Sequence, residues 1–160
     1  MRYMVLMGRT MNLKKIHNKN IQIFGNTDFR DKNCPSESQE QITFFNEIKT
    51  RCPMPYGKIA FHQRNESRRS YRQAAWHKSE GLIKGVPDII IPGKVTFLCE
   101  LKRQDHTLCR ISDHQLEYLE NCRLLGSFCC IALGYKQALL AVNSWIDMFN
   151  LMGNKHTFFV

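Results

Sequence analysis

The sequence predicts an α/β fold in which a mixed β-sheet of about four strands is flanked by helices. Three observations support this prediction. Apolar residues recur at helical spacing near the C-terminus, short β-rich segments alternate with helical ones, and two of the strands follow each other across a Pro-Gly turn. The resulting order, α, β, α, β-hairpin, α, β, α, is typical of a sheet covered by helices.

The composition is that of a globular domain. The chain has 160 residues, of which 43% are hydrophobic and 23% are charged, and this argues against disordered, collagen-like and coiled-coil proteins. Its formal charge of +9 favours polyanionic partners such as nucleic acid. Seven cysteines without a C-x-x-C pair indicate reduced thiols, and no apolar run is long enough for a membrane span. We therefore expect a cytoplasmic protein with no membrane contact.

The chain divides into three parts. Residues 1–34 are rich in lysine and asparagine and contain one short apolar patch, at 21–24, so we expect a basic arm or a loosely attached extension. Regular patterning covers residues 35–150, which we expect to form the single domain. Residues 151–160 are expected to be a C-terminal tail.

The first half of the domain is expected to be mainly helical. Ser36 and Gln39 form a capping-box pattern before a helix that runs to Arg51. A short strand is expected at 59–62, and a basic helix at 66–79.

The second half contains the clearest strand signals. Strands are expected at 87–91 and 95–102, joined by a Pro-Gly turn as a hairpin. A helix at 112–125 follows, then a fully apolar strand at 128–133 and a last helix at 136–149.

Charged side chains cluster on the hairpin. Alternation along the second strand puts Glu100 and Lys102 on one face, and Cys99 and Leu101 on the other. Asp88, on the partner strand, can lie within a few ångströms of Glu100. Two carboxylates in this arrangement suit Mg²⁺, and a neighbouring lysine can stabilise a phosphate or position a water. The alternative is an exposed ion pair on a strand face, which would contribute little stability.

These residues belong to a longer pattern. Gly85-Val86-Pro87-Asp88, followed after eleven residues by Glu100-Leu101-Lys102, resembles the PD-(D/E)xK nuclease motif. More narrowly, the chain resembles the VRR-NUC family of virus-type replication and repair nucleases. Its order and spacing match from about Ser36 to Ile146. The other features that match are Glu37 with Gln41, His62 with Asn65, and Gln115; the intervening Gln63-Arg64 departs from the family pattern.

The resemblance implies a restriction-endonuclease-like core and a Mg²⁺- or Mn²⁺-dependent endonuclease that hydrolyses phosphodiester bonds in DNA. Asp88, Glu100 and the Leu101 carbonyl would bind the metal, Lys102 would position or activate the water, and Glu37 would support the site. Stand-alone family members occur in phage and prophage, act as homodimers and cut branched DNA such as Holliday junctions. A nuclease acting on linear duplex and a non-catalytic DNA-binding protein remain the alternatives.

The helix acid that joins the site can be either Glu37 or Glu40. On a helical wheel, Glu37 lies inside the apolar stripe formed with Phe44 and Ile48, whereas Glu40 lies at its margin. The sequence therefore favours Glu37. A helix N-terminal acid stabilised by the dipole is the other interpretation.

Gln115 also has two interpretations. It completes a second capping-box pattern with Ser112, and the resemblance gives it a role in the active site.

The segment between Lys58 and Lys78 is the strongest candidate for contacting DNA phosphates. It contains one acid, and an ordinary solvated helix face is the alternative. The candidate DNA-binding residues are Arg64, Asn65, Arg68, Arg69 and Arg72.

Other ligand classes find little support. Cys99, His106, Cys109 and His114 imitate a zinc cluster, but Cys99 is expected to point away from Glu100 into the core. No Walker A or dinucleotide-binding motif is present, so we expect no nucleotide cofactor.

Overall fold

The structure, a computed structural model, describes residues 10–52, 55–63, 76–77 and 79–151, and the side chains of 149–151 lie outside that description. The helices in the described part are α1 (Leu13–Asn18), α2 (Glu37–Arg51), α3 (Tyr56–Ile59), α4 (Asp113–Leu124) and α5 (Tyr135–Leu151). The strands there are β1 (Gln22–Phe24), β2 (Ile89–Ile91), β3 (Phe97–Lys102) and β4 (Phe128–Leu133).

The four strands form one mixed sheet in the order β1-β4-β3-β2. β1 and β3 both run parallel to β4, and β2 runs antiparallel to β3 as the predicted hairpin. All six residues of β3 are buried, because β3 lies inside the sheet and is covered on both faces. The predicted mixed sheet of about four strands flanked by helices is confirmed.

Each face of the sheet packs against its own hydrophobic core. One core joins α2 and α5 to the face that carries Cys99 and Leu101. The other joins α1 and α4 to the opposite face, which carries Leu98 and Ile131. No helix of the described part is both long and apolar enough to cross a membrane.

The fourth strand differs from the prediction. Residues 59–62 do not form a strand of the sheet: Ile59 ends the short helix α3, and Phe61 forms a single bridge to Ile90 through two hydrogen bonds of 3.0 Å. The strand comes instead from the apolar patch at 22–24, which pairs with β4. A patch this short does not show the alternation of apolar and polar residues that would distinguish a strand from a few apolar residues in a loop.

The segment from residue 10 to residue 34 is not the loose extension that its composition suggests. β1 lies at the edge of the sheet, and Met11, Ile16 and Ile21 are buried in the core beside α4. The expectation of an arm is therefore wrong for these residues. It failed because a few well-placed apolar side chains anchor a segment whose other residues are polar.

Helix capping agrees with the sequence. Both α2 and α4 begin with a reciprocal capping box, formed by Ser36 with Gln39 and by Ser112 with Gln115. α4 ends before Gly126, whose φ of 93° is a left-handed conformation that glycine adopts without steric cost. The expected basic helix lies outside the described residues except for its last positions, and so does the C-terminal tail after Leu151.

A substitution in α1 tests whether the N-terminal segment is part of the fold. Ile16 is fully buried, so Ile16→Ala should lower the free energy of unfolding by about 2–4 kcal/mol, as core truncations of this size do. The exposed neighbour Lys14 is the control, and Lys14→Ala should change stability by less than about 0.5 kcal/mol. Equal effects of the two substitutions in urea denaturation would contradict the packing of α1 on the sheet.

Candidate active site

The hairpin brings Asp88 and Glu100 to the same place. Ile89 pairs with Cys99 in the antiparallel register, so the preceding Asp88 lies level with Glu100 on the neighbouring strand. The backbone N–H of Leu101 donates a hydrogen bond of 3.1 Å to Asp88 Oδ2 and orients that carboxylate. The strand register and this hydrogen bond therefore hold the Asp88 carboxylate beside β3.

Glu100 and Lys102 are buried inside the sheet. Their exposed fractions are 1% and 4%, and Lys102 Nζ lies 3.0 Å from Glu100 Oε1. Cys99 and Leu101, between and beside them, point into the core on the opposite face, as the alternation predicts. The pair is therefore a buried ion pair, and the alternative of an exposed strand face is wrong.

Gln115 combines the two interpretations that the sequence offers. Its Oε1 accepts a hydrogen bond of 2.8 Å from the backbone N–H of Ser112, which completes the capping box. Its Nε2 donates to Glu100 Oε1. The Gln115 side chain therefore caps the N-terminus of α4 and also orients the Glu100 carboxylate.

The two acids of α2 have different surroundings. Glu37 Oε2 lies 3.4 Å from Lys102 Nζ, and the Glu37 side chain is 42% exposed. Glu40 is the buried one, at 1% exposed, so the wheel assigned the depths of the two acids incorrectly. The reason is that Glu40 contacts Gln104 and the backbone of Tyr135 on other elements, and a helical wheel does not represent such contacts.

Glu40 does not contact the Asp88–Glu100 pair in the described structure; it links three elements of the fold. Its Oε1 accepts a hydrogen bond of 2.8 Å from Gln104 Nε2, and its Oε2 accepts one of 2.7 Å from the backbone N–H of Tyr135. The second bond places the carboxylate at the N-terminus of α5, where the helix dipole favours a negative charge. Glu40 therefore ties α2 to the end of β3 and to α5.

Burial and mutual repulsion set the protonation of the carboxylates. Burial, followed by the charge of Asp88, raises the pKa of Glu100 to about 8, although Lys102 opposes the shift. Burial also raises the pKa of Asp88 above its ordinary value, against the charge of Lys102. Burial alone would lower the pKa of Lys102, but Glu100 and Glu37 together raise it, so the lysine remains protonated.

The surroundings of the Asp88 and Glu100 carboxylates suit a bound cation. Among the described residues Glu100 Oε2 is buried and has no hydrogen-bond partner, and the pKa values of both acids are raised even though the Lys102 ammonium lies beside them. A divalent cation would supply both the missing partner and the charge. Within the described residues no group of three or more His, Cys, Asp or Glu side chains could bind a metal, so the oxygen ligands from protein side chains would be two carboxylates.

Gly85 fixes the loop that precedes Asp88. A Cβ at this position would lie 2.4 Å from the backbone carbonyl of His114 and 2.7 Å from the amide of Gln115, and φ is +82°. Both the close approach and the left-handed conformation require glycine. The loop is therefore packed directly against the first turn of α4, which carries Gln115.

His62 is a site residue without an assigned role in the sequence analysis. Its Nδ1 lies 2.9 Å from the backbone carbonyl of Asp88, which requires the Nδ1–H tautomer. The only sequence signal for it was its match to the family pattern. The bridge between Phe61 and Ile90 places it there, a pairing that its local sequence does not reveal.

Two further groups of candidate residues were predicted from the sequence. The candidate DNA-binding residues Arg64, Asn65, Arg68, Arg69 and Arg72 all lie outside the described residues. The zinc-like set is divided, as expected, because Cys99 lies in the core on the far face of the sheet from Glu100.

The repulsion between the acids predicts a pH-dependent effect of substitution. Because the pKa of Glu100 lies near 8 in the folded protein and at 4.5 ordinarily, the folded state binds more protons across this interval and stability falls as pH rises. Asp88→Asn removes a cause of that shift. In EDTA, it should raise the free energy of unfolding at about pH 8 by on the order of 1 kcal/mol, and by less at about pH 5.

The measurement is urea denaturation of both proteins at the two pH values. Asp147→Asn, at an exposed position on α5, is the control and should follow the wild type at both. A loss of stability in Asp88→Asn that does not depend on pH would contradict the electrostatic argument.

Comparisons with known proteins support the fold. No family model matches the sequence, and no curated protein matches it. A solved structure named "VRR_NUC domain protein" superposes with a TM-score of 0.56 and 20% sequence identity, covering 71% of this chain and 89% of that chain. The chain therefore has the restriction-endonuclease-like α/β fold, which it shares with that VRR_NUC domain protein.

Proposed function

We propose that this protein is a divalent-metal-dependent endonuclease of the VRR-NUC type that hydrolyses phosphodiester bonds in DNA. The observation that carries the proposal is the grouping of Asp88, Glu100 and Lys102 on paired strands, with one buried Glu100 oxygen that has no hydrogen-bond partner within the described part of the chain. The fold shared with a VRR_NUC domain protein is consistent with it. A carboxylate pair beside a lysine is suited to phosphoryl chemistry.

Asp88, Glu100 and the carbonyl of Leu101 are the groups that would bind the metal, and Mg²⁺ or Mn²⁺ suits an all-oxygen set. Such an ion polarises a phosphoryl oxygen and lowers the pKa of a bound water. The Leu101 N–H and the Gln115 amide already orient the two carboxylates, so the ligands are preorganised by the fold.

Lys102 has three N–H donors, and the two glutamates beside it account for two of them. The third can donate to a phosphate oxygen or to the attacking water. Glu37, which is partly exposed, restricts the position of the ammonium group at the solvent side of the site. In this proposal Glu37 and Gln115 act as positioning residues for Lys102 and Glu100.

The segment between Lys58 and Lys78 would bind the substrate through its phosphates. The net charge of +9 favours a polyanion. The contacts are assigned, on the sequence alone, to Arg64, Asn65, Arg68, Arg69 and Arg72.

Selectivity for branched DNA and a homodimeric state are finer parts of the proposal, and they rest on the sequence resemblance. A four-way junction contains two equivalent strands to cut, and a two-fold dimer would present one site to each. A phage or prophage protein acting in the host cytoplasm would fit such a substrate.

Cleavage assays with site variants test the proposed chemistry. With Mn²⁺ and a panel of four-way junction, flap, single strand and linear duplex, the wild type should cut branched substrates fastest. Asp88→Asn and Glu100→Gln should each reduce the rate by about 100-fold or more, because each removes a ligand charge that acts on the reacting phosphate. Initial rates from labelled substrates are the readout.

Matched controls are Asp147→Asn and Glu117→Gln, which make the same chemical changes at exposed helix positions and should retain wild-type rates. Full activity of either site variant would contradict the assignment. Equal or faster cutting of linear duplex would contradict the preference for branched DNA but leave the endonuclease in place, and binding without cleavage would favour a non-catalytic DNA-binding protein.

A further inference from the structure

A groove of about 590 Å³ lies beside the candidate active site, within the size range of small-molecule pockets. One wall is the outward side of α2, and the other carries His62. The residues that line it are Ser38, Gln41, Ile42, Phe45, Asn46 and His62.

The groove opens next to Asp88 and Glu37. His62 contacts the backbone carbonyl of Asp88 at 2.9 Å, and Ser38 directly follows Glu37, whose carboxylate contacts Lys102. The groove is therefore connected to the proposed phosphate site at Asp88 and Glu100 through His62 and through the first residues of α2.

The described part of the lining offers contacts that suit a nucleobase. None of the described lining residues is Lys or Arg, which are the usual side chains for phosphate. The amides of Gln41 and Asn46 offer both donors and acceptors, which complement the edges of bases. Phe45 is half-buried and Ile42 is 61% exposed, so each has apolar surface for the face of a base.

We infer that this groove binds an unstacked nucleobase next to the scissile phosphate. The inference rests on the proposed nuclease function and specifies its substrate: DNA in which the nucleotide beside the cut is unpaired. A paired base cannot enter the groove without leaving its helix, which costs the free energy of its pairing and stacking. Junctions, flaps and single strands supply such a nucleotide without that cost.

Binding of two matched oligonucleotides tests the inference. A short oligothymidylate and the same chain made of abasic nucleotides carry identical phosphates and differ only in their bases. In EDTA, the wild type should bind the thymidylate about 10-fold more tightly, which is the range for one bound base. Ile42→Ala and Asn46→Ala should each remove about 3-fold or more of that preference and leave affinity for the abasic chain unchanged.

Leu124→Ala is the matched control, since Leu124 is a 68% exposed residue of α4, which packs on the other face of the sheet. It should keep the full preference. Ile42 and Asn46 are exposed, so neither variant is expected to unfold, and circular dichroism verifies this. Equal affinity of the wild type for both oligonucleotides, or full preference in both groove variants, would overturn the inference.

A cleavage assay distinguishes failure of this inference from failure of the proposed function. If the wild type prefers the thymidylate but cuts no DNA with Mn²⁺, the groove is supported and the endonuclease proposal fails. If it cuts DNA but binds both oligonucleotides equally, the groove assignment is wrong and the endonuclease proposal stands.

Discussion

The charged groups of an ion pair buried inside a sheet need further hydrogen-bond partners. The Glu100–Lys102 pair therefore determines which side chains surround it. Desolvating two charges costs several kcal/mol for each, and their attraction compensates only when further hydrogen bonds are made. Here Gln115 binds Glu100 from α4, and Glu37 faces Lys102 from α2. The ends of both helices therefore converge on the same two residues of β3.

The charges of this buried site are not fully compensated, and the proposed function depends on that property. Asp88 adds a second acid to this buried set, and one Glu100 oxygen has no hydrogen-bond partner among the residues that the structure describes, so the pKa values of both acids are raised. A protein selected only for stability would replace one of these acids. In the proposed function, a divalent cation completes the pair formed by Asp88 and Glu100.

The sequence predicted the grouping of Asp88, Glu100 and Lys102 on the hairpin because the information for that grouping is local. The alternation along β3, the Pro-Gly turn before it and the capping patterns of α2 and α4 each depend on a few adjacent residues. The predictions that failed depend on distant contacts. β1 is recognisable as a strand only through β4, and Glu40 is buried because Gln104 and Tyr135 surround it, which a helical wheel does not represent.

Direct observation of a cation is the sharpest test of this account. A crystal soaked in Mn²⁺ and measured near the manganese absorption edge should show an anomalous peak beside Glu100 Oε2 and the Asp88 carboxylate, with ligand distances of about 2.2 Å, near the range for small divalent ions. The same crystal form of Asp88→Asn should show no peak there. Full occupancy of manganese elsewhere, with Glu100 Oε2 bound only by water, would contradict the claim that these carboxylates are the metal ligands.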